Sequence, residues 1–239
     1  IHKFGFTGTL PKERENYLSV VGKLGPILIE KNSAELRKQN YLTNVKVKSI
    51  RLNYNTTPKY IKQKDATHAT DNYRIEQEFV TFNNWRNIII KTISNNFKNN
   101  ILILVDHIKH GELLQDVLTI EGKNTYFIRG EVEVEDRDII KGIMEDTNNV
   151  ICIAMSSIFS TGVNIKNIHM IMFAAGGKSF IRTVQSIGRG LRLHKNKDEL
   201  IIIDIVDNLK YGIKHFEERQ NTYKSEDIQN TITELTEKP

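Results

Sequence analysis

Hydrophobic positions along the chain fall into two regimes. From Trp85 onward, short apolar runs alternate with stretches in which apolar residues recur every three or four positions. The runs are Ile101–Val105, Thr125–Ile128, Val150–Ala154, Ile168–Phe173 and Leu200–Val206. Helical spacing covers Asn84 to Asn96, and it recurs in Leu113, Leu114, Val117 and Leu118 and in Ile139, Ile140, Ile143 and Met144. Further helices are expected from Ser179 to about Leu191 and from Tyr211 to Lys224. Uninterrupted apolar strands are buried on both faces, and their alternation with amphipathic helices predicts a parallel α/β sheet covered on both sides.

Upstream of Trp85 the pattern is less regular. Lys3–Phe6 reads as a short strand, followed by a helix with Tyr17, Leu18, Val21 and Leu24 on one face and Gly25-Pro26 at its end. Pro26–Glu30 is expected as a strand and Ala34 to Asn40 as a short helix. Val45 to Leu52 alternates, with Val45, Val47, Ser49 and Arg51 on one side and Lys46, Lys48, Ile50 and Leu52 on the other. Residues 53–71 are polar and weakly patterned, as a linker would be, and the polar tail after Ser225 is expected to fray. This organisation divides the chain into 1–80, 81–225 and 226–239.

Charge changes the picture locally. The 239 residues carry 34 Lys and Arg against 29 Asp and Glu. No acid stands between Glu35 and Asp65, while Arg37, Lys38, Lys46, Lys48, Arg51, Lys59, Lys62 and Lys64 all fall there, interleaved with Tyr41, Tyr54 and Tyr60. Such a pattern suits a polyanion, because each neutralised phosphate releases counterions. It equally suits a solvated edge strand guarded by lysines. Cys152, the one cysteine, lies in an apolar run and reads as inert core; a disulfide within the chain is excluded, and a reducing, intracellular location fits. No stretch reaches the roughly 20 apolar residues of a membrane helix.

Ligands of open α/β sheets bind at the carboxyl ends of the strands, so the loops there carry the chemistry. Gln185-Ser-Ile-Gly-Arg-Gly-Leu-Arg192 is the most specific. Arg189 and Arg192 lie three apart on one helix face, a clamp for phosphate oxygens, and Gly188 admits a close neighbour. Phe159-Ser-Thr-Gly-Val-Asn164 offers hydroxyl and backbone donors at Thr161 and Gly162. Thr7-Gly8-Thr9 presents two hydroxyls near the chain start. His107 and His110 lack a third metal-ligand partner and read as helix-start polar residues, so no metal site is assigned. The acids from Glu131 to Asp138 suit a helix N-terminus.

These segments resemble, in order, motifs III, IV (Ile101 to His107), V and VI of superfamily 2 helicases, with Ile128-Arg129-Gly130-Glu131 and Arg137 resembling motif IVa. Most of residues 1–210 is similar to recombination helicases of T-even bacteriophages, through Gly5–Leu10, Asp106-His107, His110-Gly111, Gly130–Val132, Lys166-Asn167, Lys178-Ser179 and Gln185–Arg192. The resemblance implies a RecA-like second motor domain at 81–225, preceded by the tail of a first RecA-like domain and a linker. It implies Arg189 and Arg192 as arginine fingers, with Gln185, Gly188, Gly162 and Asn164 near ATP. Thr7, Gly8 and Thr9 would couple nucleotide state to the track, and Thr161, His107, Arg129 and Gly130 would touch nucleic acid, together with Lys46, Lys48 and Arg51. Ser186 replaces a frequent Arg, and Asn164 a frequent Asp.

A G-x-x-x-x-G-K-[ST] loop is absent; Ala175-Gly-Gly-Lys-Ser179 is a decoy, with Met172 in the first glycine's place. ATP and Mg²⁺ are therefore expected mainly on an upstream N-terminal RecA-like domain of a longer parent, the partner of this chain along with branched or forked DNA or an RNA–DNA hybrid. The host cytoplasm is the expected location. Alternatives are a restriction-system translocase, an RNA helicase, or a non-catalytic nucleic-acid-binding module.

Overall fold

The computed structural model describes residues 4–5, 13–29, 33–39, 41, 43–61, 66–119, 123–129, 134–159, 167–175, 177 and 199–239. Helix α1 (Arg14–Leu24) and α2 (Ser33–Lys38) precede β1 (Asn44–Asn53); α3 (Ala66–Phe82) and α4 (Asn84–Asn96) lead into β2 (Ile101–Val105). Then follow α5 (Ile108–Leu118), β3 (Asn124–Ile128), α6 (Val134–Asp146), β4 (Val150–Met155), α7 (Ser156–Phe159) and β5 (Met170–Phe173). Strand β6 (Glu199–Asp207), α8 (Lys210–Ser225) and β7 (Gln229–Thr236) complete the described order.

The strands form one seven-stranded sheet in the order β3-β4-β2-β5-β6-β1-β7, and every pairing is parallel. Residue parity sorts the core into two layers. Leu102, Leu104, Cys152, Ala154, Ile171, Phe173 and Ile202 pack on one face with Met144 of α6 and Tyr223 of α8. Ile101, Ile103, Val105, Ile151, Ile153, Met172 and Ile203 pack on the other with Ile90 of α4 and Leu114 and Leu118 of α5. The expected RecA-like parallel sheet is what the chain forms.

Four details differ from the sequence expectation. Strand β1 is an inner strand: it pairs with β6 over Asn44–Leu52 and with β7 over Lys46–Asn53. It is therefore neither an edge nor part of a body separate from the sheet that continues past residue 81. The polar tail is ordered as β7, because ladder bonds to β1 are joined by side-chain bonds such as Ser49 Oγ to Asn230 Oδ1 (2.9 Å) and Arg51 to Glu234 (2.8 Å). The polar stretch after Asn53 gives way to helix at Ala66. Finally, 26–29 is not a strand: Leu28 and Ile29 are about four-fifths exposed (78% and 81%) with no strand beside them among the described residues. Helix α1 forms as expected, closed by Gly25 at φ 90°, yet buries none of its residues.

Candidate functional site

A parallel sheet puts all its carboxyl ends on one edge, and the structure fixes that edge with polar side chains. The Ser156 hydroxyl, just past β4, donates to Asp106, just past β2. Arg86 of α4, fully buried, donates through Nε to Asp207 at the end of β6 (2.8 Å) and through Nη2 to the Ala174 carbonyl at the end of β5 (2.5 Å). Tyr54, one residue past β1, donates to the same Asp207 carboxylate (2.5 Å). Burial and the Asp207 charge push the Tyr54 hydroxyl well above its ordinary pKa; burial lowers that of Arg86, but Asp207 and Tyr54 together raise it above its ordinary value. The strand tops are thus tied through two buried or half-buried clusters.

His107 begins α5 as its N-cap residue, with an exposed side chain and a carbonyl that accepts from the backbone N–H groups of His110 and Gly111 (3.1 Å each). His110 turns the other way: it is buried beside Asn87 (3.3 Å), and burial followed by the Arg86 and His107 charges lowers its pKa well below the usual imidazole range. The two rings are not presented to one ion. Among the described residues no group of three His, Cys, Asp or Glu side chains is placed to hold a metal.

Beside this edge lies a cleft of about 530 Å³ between α3 and the turn from β2 into α5. Phe82, Ile108 and Met155 supply apolar lining, Gln77 and Thr81 amide and hydroxyl groups, Arg74 and Lys109 cations, and Glu78 and Asp106 carboxylates. The α3 side of this cleft was not legible in the sequence. Its available signal was an aromatic residue directly before the Asn83 cap of α4, whose side chain accepts from Arg86 N (2.9 Å).

The other predicted site residues scatter. Arg129 follows the end of β3, ion-paired to Glu112 (3.1 Å) with its guanidinium 5.4 Å from the Phe127 ring centre. Lys46 and Lys48 lie together on one face of β1, exposed, and Lys46 pairs with Glu199 (2.7 Å). They stand toward the amino ends of the strands; Lys46 is about 23 Å from Asn53 at a rise of about 3.3 Å per residue. Arg51 is on the opposite face, paired to Glu234 (2.8 Å). Thr7, Gly8, Thr9, Gly130, Thr161, Gly162, Asn164, Gln185, Gly188, Arg189 and Arg192 lie outside the described residues.

Residues 84–194 match the family model of the helicase conserved C-terminal domain. This chain carries a helicase C-terminal domain. It is 32% identical over 218 residues to the ATP-dependent DNA helicase uvsW of Enterobacteria phage T4, covering 89% of this chain and 41% of that protein. The crystal structure of T4 UvsW superposes with a TM-score of 0.64 at 27% identity, over 80% of this chain and 42% of that one. Dbp5 of S. cerevisiae, bound to RNA and ADP BeF3, shares the fold at a TM-score of 0.54 and 15% identity, over 93% of this chain and 49% of that one. The chain spans 30% to 41% of the length of the curated relatives it matches. The matched segment of the helicase domain runs from α4 through the Gln185–Arg192 octet, which lies inside it. Among the described residues no helix is long and apolar enough to cross a membrane.

Proposed function

We propose that this chain is the C-terminal motor part of an ATP-dependent superfamily 2 DNA helicase that remodels branched DNA or RNA–DNA hybrids. The observation that carries this reading is the Gln185–Arg192 octet, Q-x-x-G-R-x-x-R, at the end of a segment that matches the helicase C-terminal domain. Arg189 and Arg192 act as arginine fingers: they neutralise charge on the transferring phosphoryl group, which lies on the other motor domain. Gln185, Gly188, Gly162 and Asn164 line the same nucleotide. Thr161, Gly130, His107 and Arg129 hold the nucleic-acid backbone along the strand tops. The basic strand is left out of this track, because Lys46 and Lys48 stand near the other end of the sheet and Lys46 and Arg51 are matched by carboxylates.

ATP and Mg²⁺ are held mainly by a preceding RecA-like domain. Residues 4–5 and 13–29 fit the surface of such a domain. Phe4, Leu18, Leu28 and Ile29 are more than half exposed, an apolar area that a soluble domain ordinarily covers. Thr7, Gly8 and Thr9, between those two segments in sequence, then couple nucleotide state to the track.

The test is turnover. Residues 1–239 alone should hydrolyse no ATP above background. In the parent chain, Arg189→Ala or Arg192→Ala should lower DNA-stimulated kcat about 10³-fold with DNA binding kept. Near-normal turnover in both variants would remove the finger assignment, and robust hydrolysis by the isolated chain would remove the split of the motor across two domains.

A further inference from the structure

The cleft beside α3 has a composition that phosphate recognition does not require. Its lining is mainly apolar, Phe82 is 53% exposed and Ile108 40% exposed, and both face water at the carboxyl end of the sheet. Phe82 is also held in place. The carbonyl of Thr81 accepts from Asn87 Nδ2 (3.1 Å), and Asn83 caps α4, so the residues flanking Phe82 are fixed by hydrogen bonds while its ring projects outward. A large aromatic on a rigid helix junction, left uncovered, is a preorganised stacking surface.

We propose that this cleft takes one unpaired nucleobase from a single-stranded nucleic acid, stacked on Phe82. A base has a flat apolar face and a polar rim, and the cleft offers the complement: Phe82, Ile108 and Met155 for the face, Gln77 and Thr81 for the edge. Stacking on an aromatic tolerates any base, as a motor that moves along a strand requires. Arg74 and Lys109 line the same cleft together with the carboxylates of Glu78 and Asp106, and Asp71 stands 3.7 Å from Arg74, so cations and carboxylates balance and recognition falls on the base rather than on its phosphates. The volume of about 530 Å³ falls within the range of small-ligand sites, about 300–1,000 Å³, which admits a base with its sugar. The inference rests on the nucleic-acid reading above and adds a base contact to a track otherwise made of backbone contacts.

The experiment uses residues 1–239 and a short oligothymidylate carrying one 2-aminopurine, whose fluorescence is quenched when it stacks. Binding should quench the probe. Phe82→Ala should weaken binding about ten-fold and abolish the quench, while leaving the salt dependence and the thermal melt unchanged, because the side chain is exposed and uncharged. Phe82→Tyr should restore both affinity and quench, and an abasic site in place of the probe should lower wild-type affinity as much as Phe82→Ala does. If wild type binds the oligonucleotide and Phe82→Ala binds and quenches equally well, the base pocket is overturned and the backbone track stands. If wild type does not bind at all, the nucleic-acid reading falls, and the pocket with it.

Discussion

Arg86 and Asp207 show how a single pair decides the geometry of the strand tops. Their side chains are 0% and 2% exposed, and Asp207 also accepts from Tyr54 while Arg86 reaches the Ala174 carbonyl. Removing one member leaves the other charged in a dry interior, at a cost of about 3–5 kcal/mol. Asp207→Asn should therefore lower the urea-unfolding free energy by that order, and a loss under about 1 kcal/mol would show that water reaches the pair. His110 offers a pH test at the same scale. Asn87 Nδ2 already donates to Thr81, so Asn87 Oδ1 is the acceptor and the neutral ring carries its hydrogen on Nε2. The folded-state pKa is lowered, so below the unfolded value of about 6.5 the unfolded chain takes up a proton that the folded chain refuses. Stability from this group is complete above about pH 6.5 and is lost as pH falls, by up to about 1.4 kcal/mol per pH unit. Denaturation midpoints should decline from about pH 6.5 to about pH 5.5, and His110→Gln should flatten that decline; parallel profiles would assign it to other groups.

Elements were legible where their buried faces are apolar and obscure where they are not. Strands β2, β4, β5 and β6 bury runs made mostly of Ile, Leu, Val and Met, and their spans follow the hydrophobic pattern closely. Helix α3 turns Asn72, Glu76, Gln77, Val80 and Thr81 inward, a helical stripe that is almost entirely polar, so no hydrophobic period marks it. Two of those polar side chains, Asn72 and Glu76, are satisfied within the fold. Asn72 bonds both the N–H and the carbonyl of Ile61, and Glu76 accepts from the Tyr60 hydroxyl and from the backbone N–H groups of Tyr211 and Gly212. Glu76 is thereby the cap of α8, whose own N-cap residue, Leu209, has no side-chain oxygen to give. Gly212 is required there as well, since a Cβ would run into the Asp207 carbonyl. Glu76→Gln keeps the shape but loses the charge at a helix N-terminus and one acceptor oxygen, and should cost about 1–2 kcal/mol. Tyr60→Phe should cost about 1 kcal/mol. Unchanged midpoints in both, with an unchanged denaturant slope, would mean that α3 does not hold α8. Strand β7 was obscure for the related reason that seven of its eight residues are exposed. Its place comes from pairing with β1, a contact across the chain that local pattern does not encode.

At the scale of the molecule, a parallel sheet has a chemical edge and a structural edge. The structural edge is closed by amides: Asn100 donates to the carbonyls of Met144 and Thr147 (2.7 Å each) and accepts from Val150 N, and Asn167 reaches the same turn. Among the described residues the chemical edge carries the half-open cleft. The family was legible from sequence because short loop segments carry the resemblance. The distance between the basic strand and the strand tops was not, because it depends on β1 entering the sheet beside β6.

That separation makes the route of the nucleic acid measurable. If the strand runs over the carboxyl edge, Lys109→Gln with Arg129→Gln removes two cations from its path. The log–log salt slope of binding to single-stranded DNA should then fall by up to about 0.7 for each phosphate that is no longer neutralised. The effect at Arg129 should be the smaller of the two, since Glu112 already shares its charge. Lys46→Gln with Lys48→Gln removes the same formal charge from the other end of the sheet, where Glu199 offsets Lys46. This second pair should change affinity little at about 0.1 M salt, where the Debye length is about 10 Å, and should flatten the slope far less than the first pair. Fluorescence titrations across a series of salt concentrations distinguish the two pairs, because total charge is equal in both. A slope that flattens for Lys46 and Lys48 but not for Lys109 and Arg129 would move the track off the strand tops and onto the open face of β1 and β7.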